Sequence, residues 1–265
     1  MTITPSSIWK DIKQIRRKSP LVHNITNFVV MNNTANALLA LGASPVMAHA
    51  ETEVCDMVNI ASALVINIGT LSDPWIQAMA KAMARAKERN IPIILDPVGV
   101  GATEYRTRTA RELLLVASPA IIRGNGSEIM ALCQEDIKTK GVDSSSSSDL
   151  AIESARALNR EFGAVVCITG ETDYIVSRSE MICVKNGDAM MPRVTGLGCT
   201  ATALCGAFAA VNPDSRLAAA HAMAVMGIAG QIAAETAHGP ASLQLHFIDT
   251  LYQLSETHIQ DYLRL

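Results

Sequence analysis

The amino-acid sequence predicts an α/β fold in three layers, in which helices cover both faces of a central, mostly parallel sheet. Short runs of β-branched residues alternate with segments of helical periodicity along much of the chain. That alternation is typical of parallel strands joined by crossover helices. The chain has 265 residues, of which 49% are hydrophobic and 18% charged, enough to bury one sizeable core. Without a recognisable linker or internal repeat, we expect residues 1–265 to form a single domain.

The first predicted element is an amphipathic helix within the N-terminal twenty residues, which lack the apolar core of a signal peptide. Residues 75–90 repeat apolar side chains three and four positions apart and end in basic residues, which indicates a crossover helix. The predicted strands share short β-branched runs: ALVINIG (63–69), IPIILDPVG (91–99), AIIRGN (120–125), AVVCITG (164–170) and YIVS (174–177).

Residues 217–237 form an apolar segment that is about long enough to span a bilayer. The segment is rich in alanine and glycine, carries His221, Gln231 and Glu235, and has no aromatic belts. We therefore expect no membrane association, and we expect a helix in the core or at a subunit interface. The chain is predicted to finish as a helical layer over the sheet.

Charge and cysteine content exclude several classes of protein. A formal net charge of −3 provides no basic surface for nucleic acid. The six cysteines form no C-x-x-C pair and have no zinc-type spacing. These features indicate a reducing, cytoplasmic setting.

Polar or glycine-rich turns follow three of the predicted strands. In open α/β sheets, ligands bind beyond the carboxyl ends of the strands. We therefore expect one rim of the sheet to gather Asp96, Arg123, Asn125, Glu128 and Thr169.

The sequence TGLGCTA, residues 195–201, places two glycines before an alanine-rich helix. Free backbone amides and the helix dipole would make that turn an anion site, where a phosphoryl group in transfer is stabilised. Cys199 lies in the first turn, where the same field should favour its thiolate. A glycine-rich helix start with a packed cysteine is the alternative interpretation. The turn also fits a loose dinucleotide pattern, but Arg216 stands where an acidic ribose contact is expected, and no P-loop sequence occurs.

Asp96 and Glu128 form a candidate pair of carboxylates near this turn. Hard carboxylate oxygens suit magnesium, which phosphoryl transfer uses to neutralise phosphate charge. Arg123 could pair with a phosphate oxygen. The alternatives are that Asp96 only shapes a turn before Pro97, and that Arg123 and Glu128 form a surface ion pair.

A dense polar run near the N-terminus is a candidate substrate site. Asn24, Thr26 and Asn27 could hydrogen-bond a small polar substrate, with Met47 as an adaptable apolar wall. His23 is more typical of a structural histidine than of a catalytic base.

Six blocks of the sequence together resemble hydroxyethylthiazole kinase, a family of the ribokinase-like group. They follow the family order from about residue 20 to residue 205: PLVHNITNFVVMNNTANALLALGASPVM, ALVINIGTLSD, ILDPVGVGAT, IIRGNGSEI, ITGETDY and VTGLGCT. The resemblance implies a ribokinase-like fold and ATP-dependent phosphorylation of the hydroxyl of 4-methyl-5-(2-hydroxyethyl)thiazole, a step of thiamine salvage. It also implies magnesium and a homotrimer whose active sites are shared between subunits.

The resemblance further implies roles for individual residues. Asn27, Met47 and Gly196 would face the thiazole, Arg123 and Thr169 would contact ATP, and Asp96 and Glu128 would serve magnesium and the phosphates.

Cys199 occupies the position where many ribokinase-like enzymes carry a catalytic aspartate, and the thiazole kinases also have cysteine there. A thiol with a pKa of about 8.5 is mostly protonated at neutral pH, which weakens its assignment as a simple base. We expect Cys199 to help orient or deprotonate the substrate hydroxyl, with the amides of residues 196–199 as the main donors.

Three alternative functions remain open at this point. The first is another ribokinase-like kinase, acting on a pyrimidine or a pyridoxal-type alcohol. The second is a thiol-dependent acyl transferase with Cys199 as nucleophile and His221 or His238 as base. The third is a binding protein that keeps the pocket but transfers nothing.

Overall fold

The computed structural model describes residues 2–137, 147–178 and 180–265 of the chain. Within these ranges, eight strands form one sheet in the order β2-β1-β3-β4-β5-β6-β7-β8. The strands are β1 (Leu21–Ile25), β2 (Ser44–Val46), β3 (Ala63–Asn67), β4 (Ile93–Asp96), β5 (Ile121–Asn125), β6 (Val165–Thr169), β7 (Asp173–Val176) and β8 (Met181–Val184). Strands β1 to β6 pair in parallel, whereas β7 and β8 pair antiparallel. The predicted mostly parallel sheet is confirmed.

Helices cover both faces of this sheet, which confirms the three predicted layers. One core cluster lies between the sheet and α1, α2 and α8 to α11, and a second lies between the sheet and α3 to α7. The helices are α1 (Pro5–Lys18), α2 (Met31–Leu41), α3 (Val54–Ile60), α4 (Asp73–Arg89), α5 (Glu104–Val116), α6 (Gly126–Ile137), α7 (Ser147–Phe162), α8 (Leu197–Ala209), α9 (Ser215–Thr236), α10 (Pro240–Gln253) and α11 (Glu256–Tyr262).

The first helix shows how local sequence and packing agree. Thr4 and Ser7 form a capping box before α1, and the last turn of the helix is basic. Ile8, Ile12 and Ile15 recur at helical spacing and are fully buried in the first of the two core clusters. The predicted amphipathic helix is therefore confirmed.

Helix α9 is the apolar segment that the sequence predicts to lie either in the core or at a subunit interface. In the described part of the chain it is the one helix long and apolar enough to cross a membrane, and 83% of its apolar window is buried. The predicted core position is confirmed, so this helix gives no support to a subunit interface.

Helix α8 lies unusually close to the sheet because of Gly206. A Cβ atom at this position would lie 2.7 Å from Cγ2 of Val65 and 3.1 Å from Cγ1 of Val22. Such distances are shorter than van der Waals contact, so only glycine fits here without displacing the strands. The close approach brings the first two turns of α8 to the carboxyl ends of β3 and β4.

We expect Gly206→Ala to lower the free energy of unfolding by about 1–2 kcal/mol, because overpacking outweighs the better helix propensity of alanine. Gly126→Ala in α6 is the matched control, since its Cβ would lie at an ordinary 3.5 Å from the Cβ of Ala151. Denaturant unfolding of both variants measures the difference. Equal or higher stability of Gly206→Ala would contradict the close packing of α8.

Candidate active site

The carboxyl ends of four neighbouring strands meet at one rim of the sheet, as predicted. β3 and β4 end at Asn67 and Asp96, which are register partners, and β5 and β6 end at the partners Asn125 and Thr169. Parallel pairing places these ends side by side. The rim therefore presents polar side chains from four separate strands within one site.

The glycine turn opens α8 directly beside this rim. Gly196 is the N-cap, with a φ of 86°, and a Cβ there would lie 2.7 Å from Cγ1 of Val30. The amides of the first helical turn lack intrahelical acceptors, so they are available to an anion. At Gly198, an added Cβ would lie 3.0 Å from Nη1 of Arg123. The absence of a side chain at Gly198 thus lets a guanidinium lie against the anion site.

Asp96 is buried within the site, with an exposed fraction of 1%. Its Oδ2 accepts hydrogen bonds from Nδ2 of Asn67 at 2.8 Å and from Oγ1 of Thr202 at 2.7 Å. Its Oδ1 is buried without a hydrogen-bond partner. Burial raises the pKa of Asp96 to about 6, against the opposing charge of Arg123. A carboxylate held in this way does more than shape the turn before Pro97.

Glu128 and Arg123 bind other groups instead of forming the surface ion pair considered above. The two carboxylate oxygens of Glu128 accept hydrogen bonds from the backbone amides of Gly99 and Asn125, each at 2.9 Å. Nη2 of Arg123 donates to Oγ1 of Thr169 at 2.7 Å. Glu128 therefore joins the turns after β4 and β5, and Arg123 and Thr169 lie together as one unit.

Cys199 lies in the first turn of α8, where its sulfur accepts a hydrogen bond of 3.4 Å from Nδ2 of Asn27. Burial raises the pKa of the Cys199 thiol, and the nearby Asp96 carboxylate raises it further. The expectation that the helix field favours the thiolate is therefore wrong. Burial beside a carboxylate favours the neutral thiol over the thiolate.

Two buried asparagines connect these groups, and Asn67 was not among the predicted site residues. Oδ1 of Asn67 accepts hydrogen bonds from Nδ2 of Asn27 and from the amide of Gly69, each at 2.9 Å. A polar residue at the end of the ALVINIG strand was the available signal, and the rule that identified Asp96 applies to it equally.

The fit of a magnesium ion can be judged from these donors. Across residues 2–137, 147–178 and 180–265, no group of three or more His, Cys, Asp or Glu side chains is arranged to hold a metal. Magnesium bound with a nucleotide needs only one or two carboxylates, because waters and phosphates complete its shell. The unpartnered Oδ1 of Asp96 supplies such a donor. The residues present therefore fit an ion that arrives with the phosphates.

A cleft of about 990 Å³ opens beside the anion site. Its lining includes Arg123, Thr169 and the turn at residues 196–198, together with Met223 and Met226 of α9. This volume lies at the upper end of the range for small-molecule and cofactor sites. The cleft therefore joins an apolar wall to a phosphate-binding end.

Asp173 lines the same cleft and was also missed from the sequence. Its Oδ1 accepts the amide of Gly170 at 3.1 Å, which closes the turn after β6. Burial raises the pKa of this carboxyl to about 6. A second carboxyl of raised pKa thus lies at the phosphate end of the cleft.

The polar run at the end of β1 lies outside the large cleft. Asn27 is buried and contacts Cys199, and Met47, in the loop after the edge strand β2, does not line the cleft either. Nε2 of the buried His23 contacts the carbonyl oxygen of Ala48 at 2.7 Å and so ties β1 to that loop. The structural interpretation of His23 is confirmed.

Neither histidine considered as a base for Cys199 is suited to that role. Nδ1 of His221 contacts Oδ2 of Asp11 at 2.7 Å, and its Nε2 contacts Oγ of Ser7 at 3.1 Å. Both ring nitrogens are therefore engaged at α1. His238 is exposed beyond the end of α9. Without a base, the acyl-transfer interpretation loses its mechanism.

Comparison with known proteins gives a consistent result. The model of the hydroxyethylthiazole kinase family matches residues 12–257. A hydroxyethylthiazole kinase of Syntrophus aciditrophicus is 61% identical, over 100% of this chain and 98% of that protein. The structure of a hydroxyethylthiazole kinase protein from Pyrococcus horikoshii superposes with a TM-score of 0.91 at 44% identity, covering 98% of both chains. A ribokinase-like superfamily protein from Enterococcus faecalis, with a TM-score of 0.65 at 14% identity over 91% of this chain and 87% of its own, shares the fold.

Asp173 provides a test of the charge balance in the cleft. Its pKa in the folded protein, about 6, lies above the ordinary value of 3.8, so the folded state retains a proton that the unfolded state loses. The contribution of Asp173 to stability therefore falls as pH rises from about 4 to about 6, and the cost persists at neutral pH.

We expect Asp173→Asn to remove that part of the pH dependence and to raise the free energy of unfolding at pH 7 by about 1 kcal/mol, after allowance for its partial exposure. The asparagine oxygen can still accept the Gly170 amide. Glu171→Gln, an exposed neighbour, is the control and should keep the wild-type slope. An unchanged slope in Asp173→Asn, measured by denaturant unfolding between pH 4 and 7, would show that burial does not hold the proton there.

Proposed function

Because the chain belongs to the hydroxyethylthiazole kinase family, we propose that its site transfers the γ-phosphoryl group of ATP to the hydroxyl of 4-methyl-5-(2-hydroxyethyl)thiazole. The product is the thiazole phosphate, and the reaction is a step of thiamine salvage. One observation of the site carries the proposal. Helix α8 offers free amides at its first turn, and Thr202 in its next turn binds the buried Asp96 carboxylate. A phosphoryl-binding point and a carboxylate thus lie about one helix turn apart.

In the proposed reaction, the substrate hydroxyl oxygen forms a bond to the γ-phosphorus as the bond to the bridging oxygen of ADP breaks. The hydroxyl proton passes to solvent water, and ADP leaves with the electron pair of the broken bond. Negative charge on the transferred group faces the amides of residues 196–199 and the guanidinium of Arg123, which would stabilise it. Positioning and electrostatics would therefore supply most of the catalysis.

We propose that the two substrates occupy opposite sides of this point. ATP would lie in the large cleft with its phosphates at Arg123 and Thr169, which the hydrogen bond between these two side chains supports. The thiazole would lie against Asn27, Met47 and Gly196, on the side of β1 and β2.

Cys199, with Asn27 bound to its sulfur, would orient the substrate hydroxyl as a neutral thiol. Its raised pKa supports this role over that of a base.

Asp96 and Glu128 are proposed to hold a magnesium ion, directly or through water. A bound magnesium ion would neutralise part of the phosphate charge during transfer. The buried, unpartnered Oδ1 of Asp96 supports this assignment. Glu128, fixed by two backbone amides, would keep the turns after β4 and β5 in place around the phosphates.

We also propose a homotrimer with active sites between subunits, in which residues 1–265 act as a single kinase domain in the cytoplasm. Phe28 and Val29 support the assembly, because they follow Asn27 and are 66% and 61% exposed despite their apolar side chains. The presence of all six cysteines as free thiols agrees with a reducing compartment.

The function is tested by measuring ATP consumption with and without the thiazole alcohol. We expect turnover that depends on the thiazole alcohol, and much slower turnover with pyridoxal or a pyrimidine alcohol at the same concentration. Formation of the thiazole phosphate is checked by mass spectrometry. Equal turnover on the three alcohols, or none on any of them, would contradict the proposed substrate or the proposed chemistry.

Substitutions at Cys199 and Asp96 test the division of roles. We expect Cys199→Ser to keep kcat within about tenfold of the wild type, because a neutral group that orients the hydroxyl can be replaced by another. Asp96→Asn should lower kcat by about 10³-fold, because it removes the carboxylate facing the transferred group. Complete loss of turnover in a folded Cys199→Ser variant would restore a base role for the thiol.

A further inference from the structure

Asn67 occupies the centre of the hydrogen-bond network in the site, although no role has been assigned to it above. It is the last residue of β3, the register partner of Asp96, and its exposed fraction is 1%. Its side chain lies between Asn27 on the substrate side and Asp96 on the phosphate side. The same amide lowers the pKa of the Cys199 thiol against the effect of burial. One side chain therefore connects the two sides of the proposed site.

The orientation of the Asn67 amide is fixed by a backbone group. The amide of Gly69 lies 2.9 Å from Oδ1 of Asn67. A backbone N–H can only donate, so the atom facing Gly69 must be the oxygen. The nitrogen of Asn67 is consequently directed at Oδ2 of Asp96, at 2.8 Å.

The amide of Asn27 is fixed in the same way. The backbone N–H of Val29 donates to Oδ1 of Asn27 at 3.1 Å. Its Nδ2 must then donate hydrogen bonds to Oδ1 of Asn67 at 2.9 Å and to the sulfur of Cys199 at 3.4 Å. The direction of every hydrogen bond from Val29 to Asp96 is thereby determined.

This direction determines which oxygen of Asp96 is left for the reaction. The hydroxyl of Thr202 and the amide of Asn67 both donate to Oδ2. Oδ1 is left buried and unpartnered, which destabilises the folded state unless a ligand completes it. Two donors on one oxygen thus keep the other oxygen available.

We propose that Asn67 is a positioning residue of the phosphoryl-transfer site, whose amide, fixed by Gly69, holds Asp96 by Oδ2 and directs Oδ1 at the reacting groups. The inference rests on the proposed function and adds to it the side chain that sets the geometry of the carboxylate. The simpler alternative is that Asn67 only stabilises the turn at Gly69. That role needs the oxygen of the side chain alone, whereas positioning needs the nitrogen.

Asn67→Asp separates the two roles, because it keeps the oxygen that faces Gly69 and Asn27 but, when ionised, has no hydrogen to donate to Asp96. Asn67→Ala removes both the oxygen and the nitrogen of the side-chain amide without adding a charge. It therefore tests the inference if the aspartate variant folds poorly. Asn159→Ala is the matched control. Asn159 lies in α7, is also buried, and donates a hydrogen bond from its Nδ2 to the carbonyl oxygen of Ala164 at 2.6 Å.

Steady-state kinetics with ATP and the thiazole alcohol, corrected for the folded fraction from thermal unfolding, provides the readout. We expect both Asn67 variants to lower kcat by about 10- to 100-fold, the usual effect of losing a residue that orients a reactive group. The KM for ATP should stay within about twofold. Asn159→Ala should lower Tm but keep kcat within about twofold per folded molecule.

The outcomes are distinct. If the wild type turns over the thiazole alcohol and both Asn67→Asp and Asn67→Ala keep its kcat, the positioning role is overturned and the proposed function stands. A loss that appears in the KM for ATP, or that follows the folded fraction as in the control, also overturns it. If the wild type itself forms no thiazole phosphate, the proposed function is wrong and the inference falls with it.

Discussion

The depth at which α8 lies on the sheet is the constraint on which the rest of the site depends. Gly206 allows the helix to approach Val65 of β3, and this approach lets Thr202 reach Asp96 at 2.7 Å. The same placement brings the free amides of the first turn beside Arg123. A helix held further from the sheet would separate the carboxylate from the anion site. The distance between these two charged centres is therefore set in the core and not at the surface.

Two buried carboxyl groups show what this arrangement costs the folded state. Burial raises the pKa of both Asp96 and Asp173 to about 6, so each is ionised at neutral pH against an unfavourable environment. The two apolar clusters on either face of the sheet must supply the free energy that offsets this cost. The site thus lies where both clusters meet the strand ends, and it needs both layers intact.

Much of this organisation could be predicted from the sequence, and the reasons are local. Hydrophobic periodicity located α4 and most strands, and parallel pairing placed Asp96, Arg123 and Thr169 at one rim. Periodicity alone did not reveal that β7 and β8 reverse direction, although residues 170–172 form a connection too short for a parallel crossover.

The pKa of the Cys199 thiol and the hydrogen-bond partners of the Asn67 amide were beyond such analysis for another reason. They depend on groups distant in the chain: burial in the assembled site and Asp96 for the thiol, and Asn27 and Asp96 for the amide. The backbone amides of Gly69 and Val29 also have a consequence for how this site can evolve. A main-chain N–H is lost only by replacement with proline, so no other single replacement at these two positions can reverse the hydrogen bonds between them. A lineage that exchanged Asp96 for asparagine could keep this network only with the amide oxygen in the place of Oδ2, and the NH2 group, a donor, would then replace the acceptor Oδ1.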